Sequence, residues 1–312
     1  MNIFKKKKII VTHNGTFHAD DLFACATVSL WLQKNNQPFS IIRTRDPKVI
    51  EKADYVFDVG GEYTENNNRF DHHQLKGAGF RDNGIPYASF GLAWKHFGME
   101  LCNGDSSVWN LIDRKIASPI DCIDNGFDLI KPIYQDVVPY GGEQPFLINI
   151  PAWNEDESDI NNIFKSQVKK VTKLLTREIK VANADSVAMQ SIIDSYHKSE
   201  DKRIIELSDD FPRYLFQEVL SKFQEPIYVI SHSRKSGGAW KVEAIRKSPE
   251  TMKSRKLFPE TWRGYMDNDS ELSKLREITG VSDATFCHRN GFLMEAYSRE
   301  GVFALAEKAL LA

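Results

Sequence analysis

The sequence predicts an α/β protein of two domains joined by a long helix, and three observations support this. Short apolar runs alternate with helical patterns through the first third of the chain. A long amphipathic segment follows at residues 158–195, and the rest of the chain returns to short strand-like runs separated by turns. Because 312 residues exceed the usual size of one domain, we expect a first domain at 1–197, which includes the long helix, and a second at 198–312.

The first third of the chain has the order β-α-β-β. KIIVTH is a short buried strand that ends at His13, and LFACATVSLWL lies in a largely buried helix over residues 20–33. SIIRTR and YVFDVG are further strands, the first followed by Asp-Pro and the second by Gly-Gly. Open α/β sheets carry their sites at strand ends, so these junctions are where a functional site is expected.

Helical patterns continue through YASFGLAWKHFG and SVWNLIDRKIASPIDCID, and residues 128–153, which contain proline and glycine, are predicted to form a loop. The long helix then places its apolar residues on one face and its charged residues on the other. Beyond the polar stretch SYHKSEDKR, the runs RIIEL, PIYVISHS and WKVEAIRK predict strands, and a helix over 299–311 closes the chain.

Composition excludes several classes of protein. The net charge of −2 argues against a general electrostatic grip on nucleic acid or on an anionic membrane. No apolar run approaches the length of a membrane helix, and the lysine-rich start lacks the apolar core of a signal peptide. Four cysteines without CxxC spacing fit a reducing compartment and disfavour a cysteine zinc site. We therefore expect a cytoplasmic protein.

Imidazole and carboxylate side chains gather in four short clusters, each at the end of an apolar segment. A site for two divalent cations needs six or seven such ligands, often with one bridging carboxylate. The clusters are HNGTFHAD with His13, His18 and Asp20, FDVGG with Asp58, RFDHHQ with Asp71, His72 and His73, and DCIDNG with Asp121 and Asp124.

Each cluster also has an ordinary structural explanation. A histidine or aspartate at the end of a strand is more often a cap or a turn residue than a ligand, and DNG is a common turn former. All of these explanations must hold at once for the metal site to be absent. Four clusters in one α/β pattern therefore favour a metal centre.

These motifs, in this order, resemble the Myg family of metal-dependent hydrolases, a divergent branch of the DHH phosphoesterase superfamily. The resemblance continues downstream in PAWNED, PETWRG and CHRNGFLMEAYSREG, so it covers most of the chain. It implies a DHH-like N-terminal domain with a mainly parallel sheet flanked by helices and a smaller α/β C-terminal domain that binds substrate.

The resemblance also assigns roles to the clustered residues. It implies that two metals are held by His13, His18, Asp20, Asp58, His72 and Asp124, with Asp58 bridging the two. Asp71 would orient the neighbouring histidines, and His73 would face the substrate phosphate. Most DHH enzymes have an aspartate where this chain has His18. Imidazole in that place shifts the preference from Mg²⁺ towards Mn²⁺, our first expectation, or Co²⁺, Zn²⁺ or Fe²⁺.

The second domain is expected to select the substrate. Residues 234–263 contain nine basic and three acidic residues, interleaved with Trp240, Phe258 and Trp262. This pattern suits a phosphate backbone with stacked bases, and it equally suits a solvated lysine-rich face with aromatic residues in the core. The CHRNGF motif resembles the substrate loop of DHH enzymes, so His288 and Arg289 are predicted substrate contacts. Arg299 starts the last helix and is the third, since its guanidinium could reach the same cleft.

The resemblance implies a 3′ to 5′ exonuclease that acts on RNA or other single strands. We therefore expect a two-metal phosphodiesterase that trims single-stranded RNA or a short oligonucleotide between two domains. Two alternatives remain open. The same site could serve a small phosphatase or pyrophosphatase, or it could be a metal-stabilised binding module without turnover, in which case its coordination would be closed. No membrane partner is expected, and the oligomeric state is left open, a homodimer included.

Overall fold

The computed structural model describes residues 5–132, 134–137, 144–147, 149–234, 239–265 and 269–312. The chain divides into two compact units, Met1–Asn183 and Ala184–Ala312. This division falls inside the long helix, whereas the sequence pattern placed the boundary at 197/198. Each unit has its own sheet and its own buried core.

A five-stranded sheet forms the centre of the first unit, in the order β2-β1-β3-β5-β4. The β1–β2, β1–β3 and β3–β5 pairs are parallel and the β4–β5 pair is antiparallel, which confirms a mainly parallel sheet. The strands are β1 Lys8–Thr12, β2 Phe39–Arg43, β3 Tyr55–Phe57, β4 Tyr63–Thr64 and β5 Arg69–Phe70, with a 3-10 turn at Glu65–Asn67.

Helices surround this sheet, and the first of them is central. The helix α1 is buried on nearly all sides because it packs against the sheet and against α3, which explains its almost continuous apolar sequence. The predicted loop at 128–153 contains a short helix, α6, that the sequence did not indicate. The helices are α1 Ala19–Lys34, α2 Pro47–Glu51, α3 Ser89–Leu101, α4 Ser106–Ile112, α5 Ser118–Asp124 and α6 Gln144–Leu147.

One π-helical turn, Asp113–Ala117, joins α4 to α5. The path from Ser106 to Asp124 is therefore helical throughout, as the sequence pattern predicted. The last residue of this path, Asp124, is one of the predicted metal ligands.

The long helix α7, Ile160–Lys198, continues beyond the unit boundary. The second unit has a five-stranded sheet in the order β6-β7-β8-β10-β9, with one parallel pair, β6–β7, and three antiparallel pairs. Its strands are β6 Ile204–Glu206, β7 Tyr228–His232, β8 Trp240–Ala244, β9 Ala284–Cys287 and β10 Leu293–Ala296.

Three helices follow α7: α8 Arg213–Leu220, α9 Asp269–Thr279 and α10 Arg299–Leu311, and a 3-10 turn lies at Glu260–Trp262. The sequence predicted α10 at the same residues but not α8 or α9. No helix in the part of the chain that the structure describes has the length and apolar character to cross a membrane.

Candidate metal centre

The predicted ligands of the first unit converge at one edge of its sheet. His13 directly follows β1, Asp58 directly follows β3, and Asp71 directly follows β5. Because these three strands are parallel neighbours, their carboxyl ends meet at the same edge. Asp124, at the end of α5, approaches the same place, since its Oδ2 lies 3.1 Å from His72 Nε2.

Asp58 occupies the middle of this cluster. One oxygen lies 3.2 Å from His13 Nε2, and the other lies 3.4 Å from both His72 Nε2 and His73 Nδ1. The residue has a φ of +55°, in the left-handed region that aspartate tolerates better than most side chains. Strained backbone of this kind is common where a functional side chain must be aimed.

Three overlapping sets of side chains each bring their ligand atoms within 4.8 Å of one another. They are His13, His18 and Asp58; Asp58, His72 and His73; and Asp20, His72 and Asp124. Asp58 and His72 each belong to two of the sets. The predicted ligands are thus brought together, and the shared carboxylate is the one that the resemblance assigns as a bridge.

Buried polar atoms without hydrogen-bond partners support a cation here. Asp21 Oδ2, Asp58 Oδ1 and His72 Nε2 are buried and have no hydrogen bond of acceptable geometry. Each of the three lies 3.1–3.4 Å from a group of opposite charge, but without hydrogen-bond geometry. Because an unsatisfied buried polar atom costs about 1–3 kcal/mol, a bound cation would stabilise the two carboxylate oxygens and the imidazole nitrogen. Oxygen and imidazole donors together suit Mn²⁺ and neighbouring divalent metals, and the residues therefore fit the implied metal.

The electrostatics of the cluster point the same way. Burial, together with the charges of Asp124 and Asp58, raises the pKa of Asp20 well above its usual range. Burial also raises the pKa of Asp21 to about 7, although His13 opposes the shift. Buried carboxylates that repel one another in this way would be stabilised by a bound cation.

The pKa values shift towards the charged forms where histidines and carboxylates lie close together. Burial opposes the charged form of His72, but the carboxylates of Asp124 and Asp58, 3.1 and 3.4 Å from Nε2, outweigh it and raise the pKa of His72 to about 11. Burial likewise opposes ionisation of Asp58, yet contacts with His13 and His72 hold the pKa of that carboxyl well below its usual range. Both shifts favour an ion pair with a positive His72 imidazole and a negative Asp58 carboxylate.

His73 and His18 are the accessible members of the cluster. The His73 side chain is 62% exposed, and its Nδ1 lies 2.8 Å from Asp71 Oδ1. His18 is also exposed, and its ring lies 5.8 Å from that of His13. A substrate reaching the centre from solvent would meet these two imidazoles first.

Two acidic residues differ from what sequence reasoning expected. Asp21 had no assigned role, yet it is fully buried, with Oδ1 accepting from the His18 N–H at 2.9 Å and Oδ2 3.3 Å from His13 Nε2. The doubled aspartate in an otherwise apolar helix was the available signal. Asp121 is the other acidic residue of DCIDNG, and Asp124 is preferred to it as a ligand because Asp124 lies next to Asn125-Gly126; in the structure Asp121 pairs with Arg81.

The predicted substrate contacts lie in the second unit and differ in availability. Arg299 Nε and Nη2 each donate to Glu206 at 2.6 Å, so this guanidinium is already engaged by a carboxylate. His288 is half-buried, accepts from the Asn290 N–H and lies against Phe292. Arg289 is exposed and has no partner among the described residues.

Much of the basic segment 234–263 has a structural role. Arg255 donates to four backbone carbonyls, and Lys256 Nζ donates to Leu310 O. Phe258 is fully buried and Trp262 is 7% exposed, so both belong to the core and not to a stacking surface. Lys247 and Lys253 are exposed, and Lys235 lies outside the described residues. For these members the structure fits the second interpretation of the segment, in which the aromatic residues belong to the core.

A protein-family model, MYG1_exonuc, described as "Uncharacterised protein family (UPF0160)", matches residues 9–310. The chain is 28% identical to the MYG1 exonuclease of Mus musculus, over 96% of this chain and 84% of the relative. It is 29% identical to the MYG1 protein of Dictyostelium discoideum, over 96% of each, and 30% identical to that of Chlamydia pneumoniae, over 93% of this chain and 92% of the relative.

Among solved structures, the chain is similar to Thermus thermophilus RecJ in complex with Mn²⁺ at 11% identity and a TM-score of 0.27. The match covers 98% of this chain and 53% of that chain. A likeness this distant bears on neither the fold nor the activity.

Proposed function

The chain belongs to the MYG1_exonuc family, and from this premise we propose that it is a metal-dependent 3′ to 5′ exonuclease that acts on single-stranded RNA. The expectation of an enzyme, a hydrolase, is confirmed at the level of the family, whose mouse and human members are named exonucleases. The metal dependence, the polarity and the RNA substrate are the parts that we add.

The observation that carries the proposal is the convergence of buried carboxylates and imidazoles from four separate stretches of the first unit. Asp58 connects two of the sets, and three buried atoms of the cluster, its own Oδ1 among them, have no hydrogen bond of acceptable geometry. A purely structural cluster would satisfy its buried groups internally. Two bound divalent cations, Mn²⁺ by preference, would give the buried atoms of this cluster the partners that they lack.

The predicted ligands would form two sets, one for each cation. His13, His18 and Asp58 would hold one cation, and Asp20, His72 and Asp124 the other, with Asp58 shared. Divalent cations in such a site lower the pKa of water and neutralise charge on a phosphoryl group. The exposed His73, held by Asp71, is placed to donate a hydrogen bond to a substrate phosphate.

The nucleic-acid substrate is supported by exposed cations in the second unit. Lys247, Lys253 and Arg289 have no ion pair with any described residue, so they remain available to phosphates. Reduced cysteines, all four of them buried, suit a reducing compartment, and we propose the cytoplasm.

The test is a time course with Mn²⁺ on 5′-labelled single-stranded RNA and, in parallel, on pyrophosphate. We expect a descending ladder from RNA, and a loss of at least about 100-fold in rate for Asp58→Asn, because a shared ligand matters at least as much as its supporting residues. Asp54→Asn is the matched control, since Asp54 has the same side chain four positions earlier but bonds to Lys8 and to the Ile9 N–H.

Other outcomes would replace the proposal. Hydrolysis of pyrophosphate alone would identify a small-molecule phosphatase. Mn²⁺ binding without turnover of either substrate would indicate a metal-stabilised binding module. Equal activity of Asp58→Asn and Asp54→Asn on RNA would place the chemistry elsewhere in the molecule.

A further inference from the structure

The amino end of α3 lies between two carboxylates that come from different helices. Its first two N–H groups, of Ser89 and Phe90, donate to the two oxygens of Asp20 at 3.0 and 2.7 Å. The third, of Gly91, donates to Asp121 Oδ1 at 3.0 Å. The residue before the helix, Ala88, has no capping side chain, so these distant carboxylates satisfy N–H groups that a local cap would usually satisfy.

Asp121 is also held from its other side. Its second oxygen accepts from Arg81, and Arg81 in turn donates through Nε and Nη2 to Asp113 at 3.2 and 2.9 Å. The Arg81 guanidinium lies over the Tyr87 ring at 4.3 Å and is almost completely buried. A buried, bidentate arginine pair of this kind fixes geometry more strictly than an exposed one.

The helix α5 connects this network to the metal centre. Asp121 and Asp124 are three residues apart on α5, which places them on the same side of the helix. Asp124 is the residue whose Oδ2 lies 3.1 Å from His72 Nε2. Because Asp121 and Asp124 lie on one helix, the contact of Asp121 with α3 also positions Asp124. The amino end of α3 holds Asp20 as well.

Gly91 leaves the space that this arrangement needs. A Cβ at this position would lie 1.8 Å from Asp121 Oδ2 and 2.7 Å from Arg81 Nη2, which are distances that no real Cβ tolerates. Any side chain here must displace either Asp121 or Arg81. The glycine is required by the close approach of the carboxylate, since its backbone is helical.

We propose that Arg81, Asp121 and Gly91 form a positioning group that aligns Asp20 and Asp124 for the set they share with His72. None of the three is a ligand; they act through α3 and α5. The inference rests on the proposed function only in treating Asp20 and Asp124 as metal ligands.

The test measures Mn²⁺ binding to the full-length apoprotein by electron paramagnetic resonance of free Mn²⁺, which does not depend on activity. We expect Asp121→Asn and Gly91→Ala to weaken one of two Mn²⁺ sites by about 10- to 100-fold and to leave the other close to wild type, as supporting residues commonly do. Arg81→Lys keeps the charge but not the bidentate geometry, so it should lose less than Arg81→Gln.

Gly98→Ala is the matched control on the same helix. A Cβ at Gly98 would lie 2.7 Å from Trp94 and 2.9 Å from Trp109, so this variant is also crowded, but by tryptophans. It should lower the melting temperature and leave both Mn²⁺ affinities unchanged. If Gly91→Ala does not fold, Asp121→Asn and the two Arg81 variants still decide the question.

Wild-type Mn²⁺ affinity at both sites in folded Asp121→Asn would overturn the inference, as would an equal loss of affinity in Gly98→Ala. A different result would contradict the proposed function. If wild-type protein binds Mn²⁺, and Asp121→Asn weakens one site, but neither cleaves RNA, then the positioning group stands and the exonuclease does not.

Discussion

Asp71 accepts four hydrogen bonds, and at the scale of single residues this makes it the best-defined support of the site. The donors are the N–H groups of Gly61, His72 and His73 and the Nδ1 of His73. Three of these four contacts fix two consecutive histidines, one buried beside Asp58 and one open to solvent. The Asp-His-His order therefore fixes both imidazoles, the first of which we propose as a metal ligand and the second as a substrate contact.

We expect Asp71→Asn to lower kcat for RNA cleavage by about 10- to 100-fold. If the amide oxygen takes the place of Oδ1 and keeps the contacts to His72 and His73, the amide NH2 must face the Gly61 N–H, which Oδ2 of the carboxylate accepts. Steady-state kinetics on a short RNA would measure it. Asp54→Asn, with the same exchange outside the site, should keep wild-type kcat. An unchanged kcat in Asp71→Asn would remove Asp71 from the support of the histidines.

At the scale of elements, the start of β1 is held by one carboxylate. Asp54 accepts from Lys8 Nζ and from the Ile9 N–H, both at 2.8 Å. Burial would raise the pKa of Asp54, but these two hydrogen bonds outweigh it and lower the pKa. A lowered folded-state pKa adds stability that is fully present above the unfolded value near 3.9 and is lost as the pH falls through the folded value.

The Asp54→Asn variant should therefore be less stable than wild type by about 1 kcal/mol at pH 7. The difference should narrow towards pH 3, where the wild-type carboxyl begins to take up its proton. Urea unfolding of the metal-free proteins at pH 7, 5 and 3 would measure this. A difference that stays constant across the series would mean that the charge of Asp54 contributes nothing.

The helix α7 is anchored to the first unit by its apolar face. Phe164 is fully buried; its ring lies 5.4 Å from that of Phe17 and 4.6 Å from the Arg43 guanidinium. Phe17 belongs to the turn between His13 and His18, so this contact supports the loop that carries two predicted ligands. The long amphipathic pattern thus contributes to the site through packing.

Replacing Phe164 by alanine should cost about 3–5 kcal/mol of unfolding free energy, because a large aromatic leaves a cavity in a close-packed core. Val187→Ala on the same helix is the control, since Val187 is 73% exposed and should change stability by less than about 0.5 kcal/mol. Chemical denaturation would compare them. Similar losses in the two variants would contradict the packing role of Phe164.

At the scale of the whole molecule, a nearly neutral chain must bind a polyanion through a few available cations. In the second unit, Lys247, Lys253 and Arg289 are exposed, whereas Arg255 and Arg299 are occupied by backbone carbonyls and by Glu206. Cations already used by the fold contribute little to binding. Nucleic-acid affinity should therefore depend on the first three.

A variant with Lys247, Lys253 and Arg289 changed to alanine should bind single-stranded RNA more weakly, with the slope of log K against log[salt] reduced by about 2, since each phosphate contact contributes about 0.7. Filter binding over a range of salt concentrations would measure the slope. Alanine at Lys165, Lys169 and Lys173, exposed on α7, removes the same charge as a control. Equal reductions in both variants would indicate net charge instead of a binding surface.

The sequence by itself determined the α/β class, the order β1-α1-β2-β3 at the start of the first unit and the closing helix, because periodicity and turn residues are local properties. It also determined which motifs contain candidate ligands, since histidines and aspartates that follow predicted strands can be recognised in the sequence. Packing within the fold decides the elements that the sequence did not predict, since their local patterns are short or weak. These are the helices α2, α6, α8 and α9 and the strands β4, β5, β9 and β10.

Only the tertiary structure decided between residues of the same type. Asp121 and Asp124 look alike in DCIDNG, but Arg81, forty positions before Asp121, binds the first and leaves the second facing His72. The roles of Asp21 and Gly91 depend on contacts with other segments of the chain, His13 for the first and Asp121 and Arg81 for the second. In the sequence Arg255 and Arg299 are indistinguishable from free cations, but in the structure they bind backbone carbonyls and Glu206. Which partner a charged side chain finds is a non-local property, because it depends on where the other segments of the chain fold.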